Sequence, residues 1–411
     1  MLGARLRGAD REQVRLVGLL TGGHAVIHWY QQLYPLIIPT LKSALGLDDV
    51  QVGLLSSARQ VTGGSVGLPL GMLTDRRPAR RAIVLAGSIF VMGVGYFVMG
   101  IWPALAWAMV ASLLLGLGSG GWHPTSNAVL AGKFERLRGT VLSVHGTGAT
   151  LMDSVAPLLA GALLAAFHWQ GFLAVQIIPA ALFAWFLFRR LGPSLRDDRP
   201  KGAERPSPES SARSRGVLSD LGELARNPAL LGISFSSACM GIGRVIVLTF
   251  LPIYLQEHLG YPPAVLGLYI ALLHVLGIFS QPTFGFLSDR VGRKAILVPS
   301  FVALGLLYLL LGYVPSGIPL AIVIALTGIF FYTLANLTGA AIFDVVDTRL
   351  HASSWGASSL LTQVFVLPAP VIAGAMIAPL GIGAPFALSG VLMLVGAGVL
   401  MLLPMRRPGG A

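Results

Sequence analysis

The sequence predicts an all-α integral membrane protein, with 12 transmembrane helices in two six-helix pseudo-symmetric bundles. Three observations predict it. Of 411 residues, 55% are apolar and only 11% charged, under half the charged share of a soluble domain. The charges gather in short clusters between long runs that carry almost none, as repeated bilayer crossing requires. Two peptide patterns recur at nearly one offset along the chain.

Apolar runs of about 20 residues or more place twelve segments at 15–41, 50–74, 81–101, 103–131, 138–167, 171–190, 229–256, 264–288, 294–314, 317–345, 351–378 and 383–405. Six precede a stretch rich in Arg, Asp, Glu, Pro and Ser, and six follow it. The expected organisation is an N-terminal six-helix bundle over 1–191, a cytoplasmic linker over 192–228 and a C-terminal six-helix bundle over 229–411. Late in the linker, Val217, Leu218, Leu221 and Leu224 recur at helical spacing, the pattern of a short membrane-surface helix. The basic stretch Met1–Arg15 leads into an apolar run without a small-residue cleavage site, so a retained first helix is expected. The one cysteine, Cys239, sits in an apolar run and excludes a disulfide framework.

Of the 29 Lys and Arg residues, 26 fall on one side of this topology and only Lys42 falls in a loop of the other. The positive-inside rule then puts both termini and the linker in the cytoplasm, in a bacterial inner membrane. The formal charge of +12 does not imply a nucleic-acid partner, because the arginines anchor the ends of apolar runs. No Gly-x-x-x-x-Gly-Lys-Ser/Thr loop is present, so ATP is not the expected energy source, and no cofactor is expected. His24-x-x-x-His28 has metal-ligand spacing, with His123 or Asp153 as a third ligand. Neither His-Glu-x-x-His nor a nucleophile motif accompanies it, so the expectation is no enzyme and no metal.

Gly71-Met-Leu-Thr-Asp75-Arg76 ends the second segment, and Gly285-Phe-Leu-Ser-Asp289-Arg290-Val-Gly292-Arg293-Lys294 ends the eighth. Ala156-Pro157-Leu-Leu-Ala-Gly161 in the fifth matches Ala369-Pro370-Val-Ile-Ala-Gly374 in the eleventh. The offsets are 214 and 213, which indicates an internal duplication of six helices. The Gly-x-x-x-Asp-Arg-x-Gly-Arg-Lys run resembles the signature loop of the major facilitator superfamily. The first copy departs from it at Pro78 and Ala79. Gly-Trp122-His123-Pro124 and Pro157-x-x-Ala-Gly161 are similar to the fosmidomycin-resistance type of efflux transporter within that superfamily. The resemblance implies a monomeric secondary transporter that works by alternating access and binds solute near the bilayer midplane.

Asp75 and Asp289 stand beside arginine clusters at cytoplasmic helix ends, where acids contribute little to topology. They are expected to form gating ion pairs with Arg76, Arg290 and Arg293, with Glu135 and Asp344 at corresponding ends. Ionisable side chains inside segments normally face a cavity or a partner. Here they are His24, His28, Arg59, His123, His145, Asp153, Arg244 and His274, and none falls in segments three, six, nine or twelve. At 1.5 Å per residue, His28, Arg59, Asp153, Arg244 and His274 lie roughly 20 Å from the cytoplasmic end, with His24, His123 and His145 roughly 10–14 Å from it.

Two arginines from different halves suit an anionic solute, by bidentate contact to a carboxylate, phosphate or phosphonate. The candidate solute-binding set is Arg59, Arg244, His28, His24, Gln31, His123 and Tyr30. The candidate proton-coupling set is Asp153, His274 and His145, because a buried acid and imidazoles can load and release a proton. Proton-coupled export of a small anionic or amphiphilic compound is the expected activity. Proton-coupled uptake of an organic anion uses the same charges.

Overall fold

The computed structural model describes residues 11–134, 137–196, 224, 226–331, 333–347 and 350–404. Among them, all regular structure is helical. Ten helices are long and apolar enough to cross a membrane, from Pro78–Ile101 to Gly383–Leu402. The other two expected segments correspond to Arg11–Leu45, which carries His24, His28, Gln31 and Gln32, and to Asp49–Ser65 followed by Gly67–Arg76. Polar side chains lower the hydropathy of the first, and the break at Val66 leaves the second in two short pieces. Val217, Leu218 and Leu221 of the expected surface helix lie outside the described residues.

Three helix breaks have one cause. Helices end at Ser65, Val175 and Val366, each four residues before a proline: Pro69, Pro179 and Pro370. Proline has no N–H to return to the carbonyl four residues back, and its ring collides with that carbonyl. At Pro124 and Pro157 the helices Leu105–Lys133 and Arg138–Ala166 run on unbroken.

The chain divides into two compact units. One holds the described parts of Met1–Leu47, Ala58–Arg199 and Pro262–Ala271; the other holds those of Asp48–Ser57, Pro200–Tyr261 and Leu272–Ala411. In the first, helix Arg81–Ile101 packs on Leu105–Lys133 and Ile177–Arg196, and Arg11–Leu45 packs on Arg138–Ala166. In the second, Arg293–Leu311 packs on Ile318–Phe331 and Gly383–Leu402, and Pro228–Ile253 packs on His351–Val366. These are the same pairings, displaced by six segments.

The repeated Ala-Pro-x-x-Ala-Gly motif does the same work in each unit. In the first, a Cβ on Gly267 would strike the Pro157 carbonyl, and one on Gly161 would strike the Pro263 carbonyl. In the second, a Cβ on Gly53 would strike the Pro370 carbonyl, and one on Gly374 would strike the Asp49 carbonyl. Glycine at these four positions lets two helix backbones touch, the usual way helices associate in lipid. Ser57 Oγ donates to the Leu367 carbonyl at 2.7 Å, and Thr249 Oγ1 donates to Ser56 Oγ at 3.0 Å, beside the Gly53 contact.

A second backbone contact joins the first and fifth segments. A Cβ on Gly148 would meet the Thr21 carbonyl, and one on Gly23 would enter the Trp122 ring, which is fully buried. Gly148→Val and Gly267→Val should each destabilise the protein by about 1–3 kcal/mol, the usual cost of overpacking. Gly146→Val and Gly285→Val, where nothing lies within 4 Å, should change little. Thermal unfolding in detergent, followed by tryptophan fluorescence, measures all four.

Candidate functional site

The first unit gathers four histidines and its deep acid at one place. His28 Nδ1 donates to Asp153 Oδ1 at 2.7 Å, and Gln32 Nε2 donates to the same oxygen at 2.7 Å. Asp153 is 5% exposed. A carboxylate this deep costs several kcal/mol in desolvation unless it is paired and hydrogen-bonded. The two donors sit four residues apart, hence on one face of the first segment. One turn earlier, His24 Nδ1 donates to the His145 carbonyl at 3.0 Å. The imidazoles of His24 and His145 stack with centroids 4.1 Å apart. His24 also meets His28 and His123 edge-on, at 4.8 and 5.1 Å between centroids. Gln31 continues the stripe: its Nε2 donates to Ser119 Oγ at 2.7 Å and lies 3.4 Å from His123 Nε2. The two depths estimated from sequence therefore meet in a single cluster of four histidines and one acid.

Tyr30 packs in the interior of the first unit. It is 1% exposed, its hydroxyl donates to the Gln176 carbonyl at 2.9 Å, and its own carbonyl accepts from Tyr96 Oη at 2.5 Å. Trp29 Nε1 donates to Gln176 Oε1 at 3.0 Å. Gln176 stands at the helix break that Pro179 causes. Arg59 lies apart from the histidines, with its guanidinium 4.8 Å from the centre of the Tyr34 ring. The Tyr34 hydroxyl shares a hydrogen bond with Ser112 Oγ at 3.1 Å. Among the described residues, no carboxylate pairs with Arg59.

In the second unit, the Arg244 guanidinium lies 5.0 Å from the Phe331 ring centre. His274, buried, meets the edge of the same ring at 6.2 Å between centroids. At the end of the helix Gly277–Val291, Arg293 bridges two acids: it pairs with Asp289 one turn earlier and with Asp344 Oδ2 at 3.3 Å. Arg290 folds over Phe286 at 4.1 Å instead. Lys294 donates to the carbonyls of Met401 and Leu403, where a helix end favours a cation. In the first unit Arg76 is exposed. Glu135 and the Asp75 side chain lie outside the described residues.

The sequence profile described as Major Facilitator Superfamily matches residues 20–282 and 233–411. The chain belongs to the major facilitator superfamily. It is accordingly a multi-pass membrane transporter of small molecules, not an enzyme. Relatives include a "Probable hexose phosphate transport protein" of Chlamydia muridarum, 23% identical over 323 residues, 73% of this chain and 70% of that one. The "Probable sulfoacetate transporter SauU" of Cupriavidus necator is 23% identical over 382 residues, 87% of this chain and 86% of that one. "Multidrug resistance protein MdtG" of Klebsiella pneumoniae is 26% identical over 343 residues, 82% of this chain and 79% of that one. Among solved structures, the bacterial homolog of the human lysosomal transporter Spinster, inward-facing and occupied, superposes with a TM-score of 0.74. It is 16% identical, over 96% of this chain and 97% of that one, and shows the shared fold.

Sequence reasoning missed Gln176 and Ser119. Gln176 is the one amide in its apolar segment, a signal that a search for charges and histidines passes over. The ion pairs of Arg293 are solvated, with the Asp289 and Asp344 side chains 64% and 53% exposed. Such pairs contribute under about 1 kcal/mol each. Arg293→Ala should therefore leave the thermal midpoint within a few degrees of wild type while slowing transport in proteoliposomes. A large loss of stability would make the residue structural.

Proposed function

We propose that the protein is a twelve-span secondary transporter of the bacterial inner membrane, with both termini cytoplasmic. In this reading it exports a small anionic or amphiphilic compound in exchange for protons, by alternating access. The observation that carries the solute class is Arg59: a half-buried guanidinium on the Tyr34 ring, within an apolar segment, with no carboxylate partner among the described residues. A cation in such a place is stabilised by an incoming anion, and its planar fork fits a carboxylate, phosphonate or sulfonate. Arg244 over Phe331 repeats the ring stacking in the second unit. Two relatives carry names that specify anionic solutes, a hexose phosphate and sulfoacetate, which supports the same class. A third is named for drug resistance, which together with the Gly-Trp122-His123-Pro124 resemblance supports export. The absence of a nucleotide-binding loop from the sequence favours an ion gradient as the energy source.

The experiment is solute flux in proteoliposomes of known orientation, with a panel of phosphonates, sulfonates, carboxylates and neutral amphiphiles. A hydrogen bond to a charged group is worth about 1.5–3 kcal/mol, so Arg59→Ala should raise KM for anions about 10- to 100-fold. Arg59→Lys should restore part of that loss, and neutral solutes should be unaffected. An uncoupler should abolish uphill flux. An unchanged KM for every anion in Arg59→Ala removes this residue from solute recognition, and accumulation driven inward by an inward proton gradient establishes uptake.

A further inference from the structure

The histidine cluster of the first unit has a property that anion transport does not use. In a neutral imidazole one nitrogen carries the proton and the other a lone pair. The Nδ1 of His24 faces a carbonyl, which only accepts, so Nδ1 bears the proton and Nε2 the lone pair. His24 is 8% exposed, and its Nε2 is buried with no hydrogen-bond partner. His28 Nδ1 faces the Asp153 carboxylate, which again leaves Nε2 as the lone-pair nitrogen. His123 Nε2 lies 3.4 Å from the amide nitrogen of Gln31, a donor, so Nε2 carries a lone pair, one that an ion would take over from this long contact. Each of the three neutral imidazoles thus has one nitrogen free of a proton. One ring nitrogen from each of His24, His28 and His123 lies within 4.8 Å of the others.

We propose that His24, His28 and His123 form a binding site for a transition-metal cation of the zinc, nickel or cobalt class. Neutral imidazole is the preferred ligand of these ions. Metal-bound histidines characteristically donate their second ring N–H to a carboxylate or a backbone carbonyl, which fixes the tautomer and aims the ring. His28 does so to Asp153 and His24 does so to the His145 carbonyl. Stacking on His145 holds the His24 ring in plane. A tetrahedral ion about 2.1 Å from each nitrogen brings the donors to about 3.4 Å apart, which side-chain rotation of the three rings can supply. Three protein nitrogens leave a fourth coordination position open for water or an oxygen of another molecule. Asp153, held against His28, offsets part of the ion's charge. Magnesium and calcium, which prefer oxygen ligands, do not fit this donor set.

The test uses full-length protein purified in detergent without a polyhistidine tag and with no solute present, so its outcome is independent of the anion reading. Zn2+ binding is measured by competition with a colorimetric chelator, and Co2+ binding by its ligand-field absorption. About one ion per chain is expected, at micromolar or tighter affinity. His24→Ala and His123→Ala should each weaken binding at least about tenfold. Asp153→Asn, which removes the orienting partner rather than a ligand, should weaken it about 10- to 100-fold. His168→Ala, far along the fifth-to-sixth connection, should bind as wild type. Circular dichroism verifies that each variant is folded, and His24→Gln replaces any that is not. A folded wild type with no saturable Zn2+ binding overturns the proposal and leaves the cluster to protons. So does equal affinity in the histidine variants, or loss of binding in His168→Ala.

Discussion

The close approach of the first and fifth segments at Thr21 and Gly148 sets the geometry of the histidine–aspartate cluster in the first unit. A carbonyl occupies the space a side chain would take, so the two helices lie backbone to backbone. Thr21 meets Gly148, His24 meets His145, and His28 and Gln32 meet Asp153. A larger residue at position 148 would separate Asp153 from both of its donors at once. In a medium that offers no water a carboxylate depends on those donors, so part of the cost of overpacking at this position is felt at Asp153.

Architecture was largely legible because a bilayer imposes a few strong constraints on a sequence. Length of apolar run and the 214-residue offset each report on one of them. The repeat proved to be physical down to the contact: Gly53 and Gly267, 214 apart, each seat the carbonyl of a motif proline. The breaks at Ser65, Val175 and Val366 were equally readable, four residues ahead of Pro69, Pro179 and Pro370, but apolarity alone runs straight across them. The site was legible in height and not in azimuth. A ruler along the helix put His28 and Asp153 at one depth together with Arg59, Arg244 and His274, and nothing in that ruler says which of the five touch. Helix rotation decides it, and rotation is fixed by packing at Gly23 and Gly148, whose partners are about a hundred residues away or more.

The duplicated scaffold carries unequal chemistry. Each unit holds an arginine against an aromatic ring, Arg59 on Tyr34 and Arg244 on Phe331, a pairing that keeps a guanidinium in apolar surroundings at modest cost. The deep acid and the cluster of four histidines lie in the first unit alone. Duplication thus preserved the helix contacts and one cation per half, while one half acquired the polar stripe.

That inequality has a thermodynamic consequence. His24, His28, His123, His145 and Asp153 all belong to one compact unit. A ligand shifts the balance between two states only when it binds them with different affinity. An ion or proton seated in this cluster is held by side chains of the first unit, so it biases the transport cycle only through what the cycle changes around those side chains.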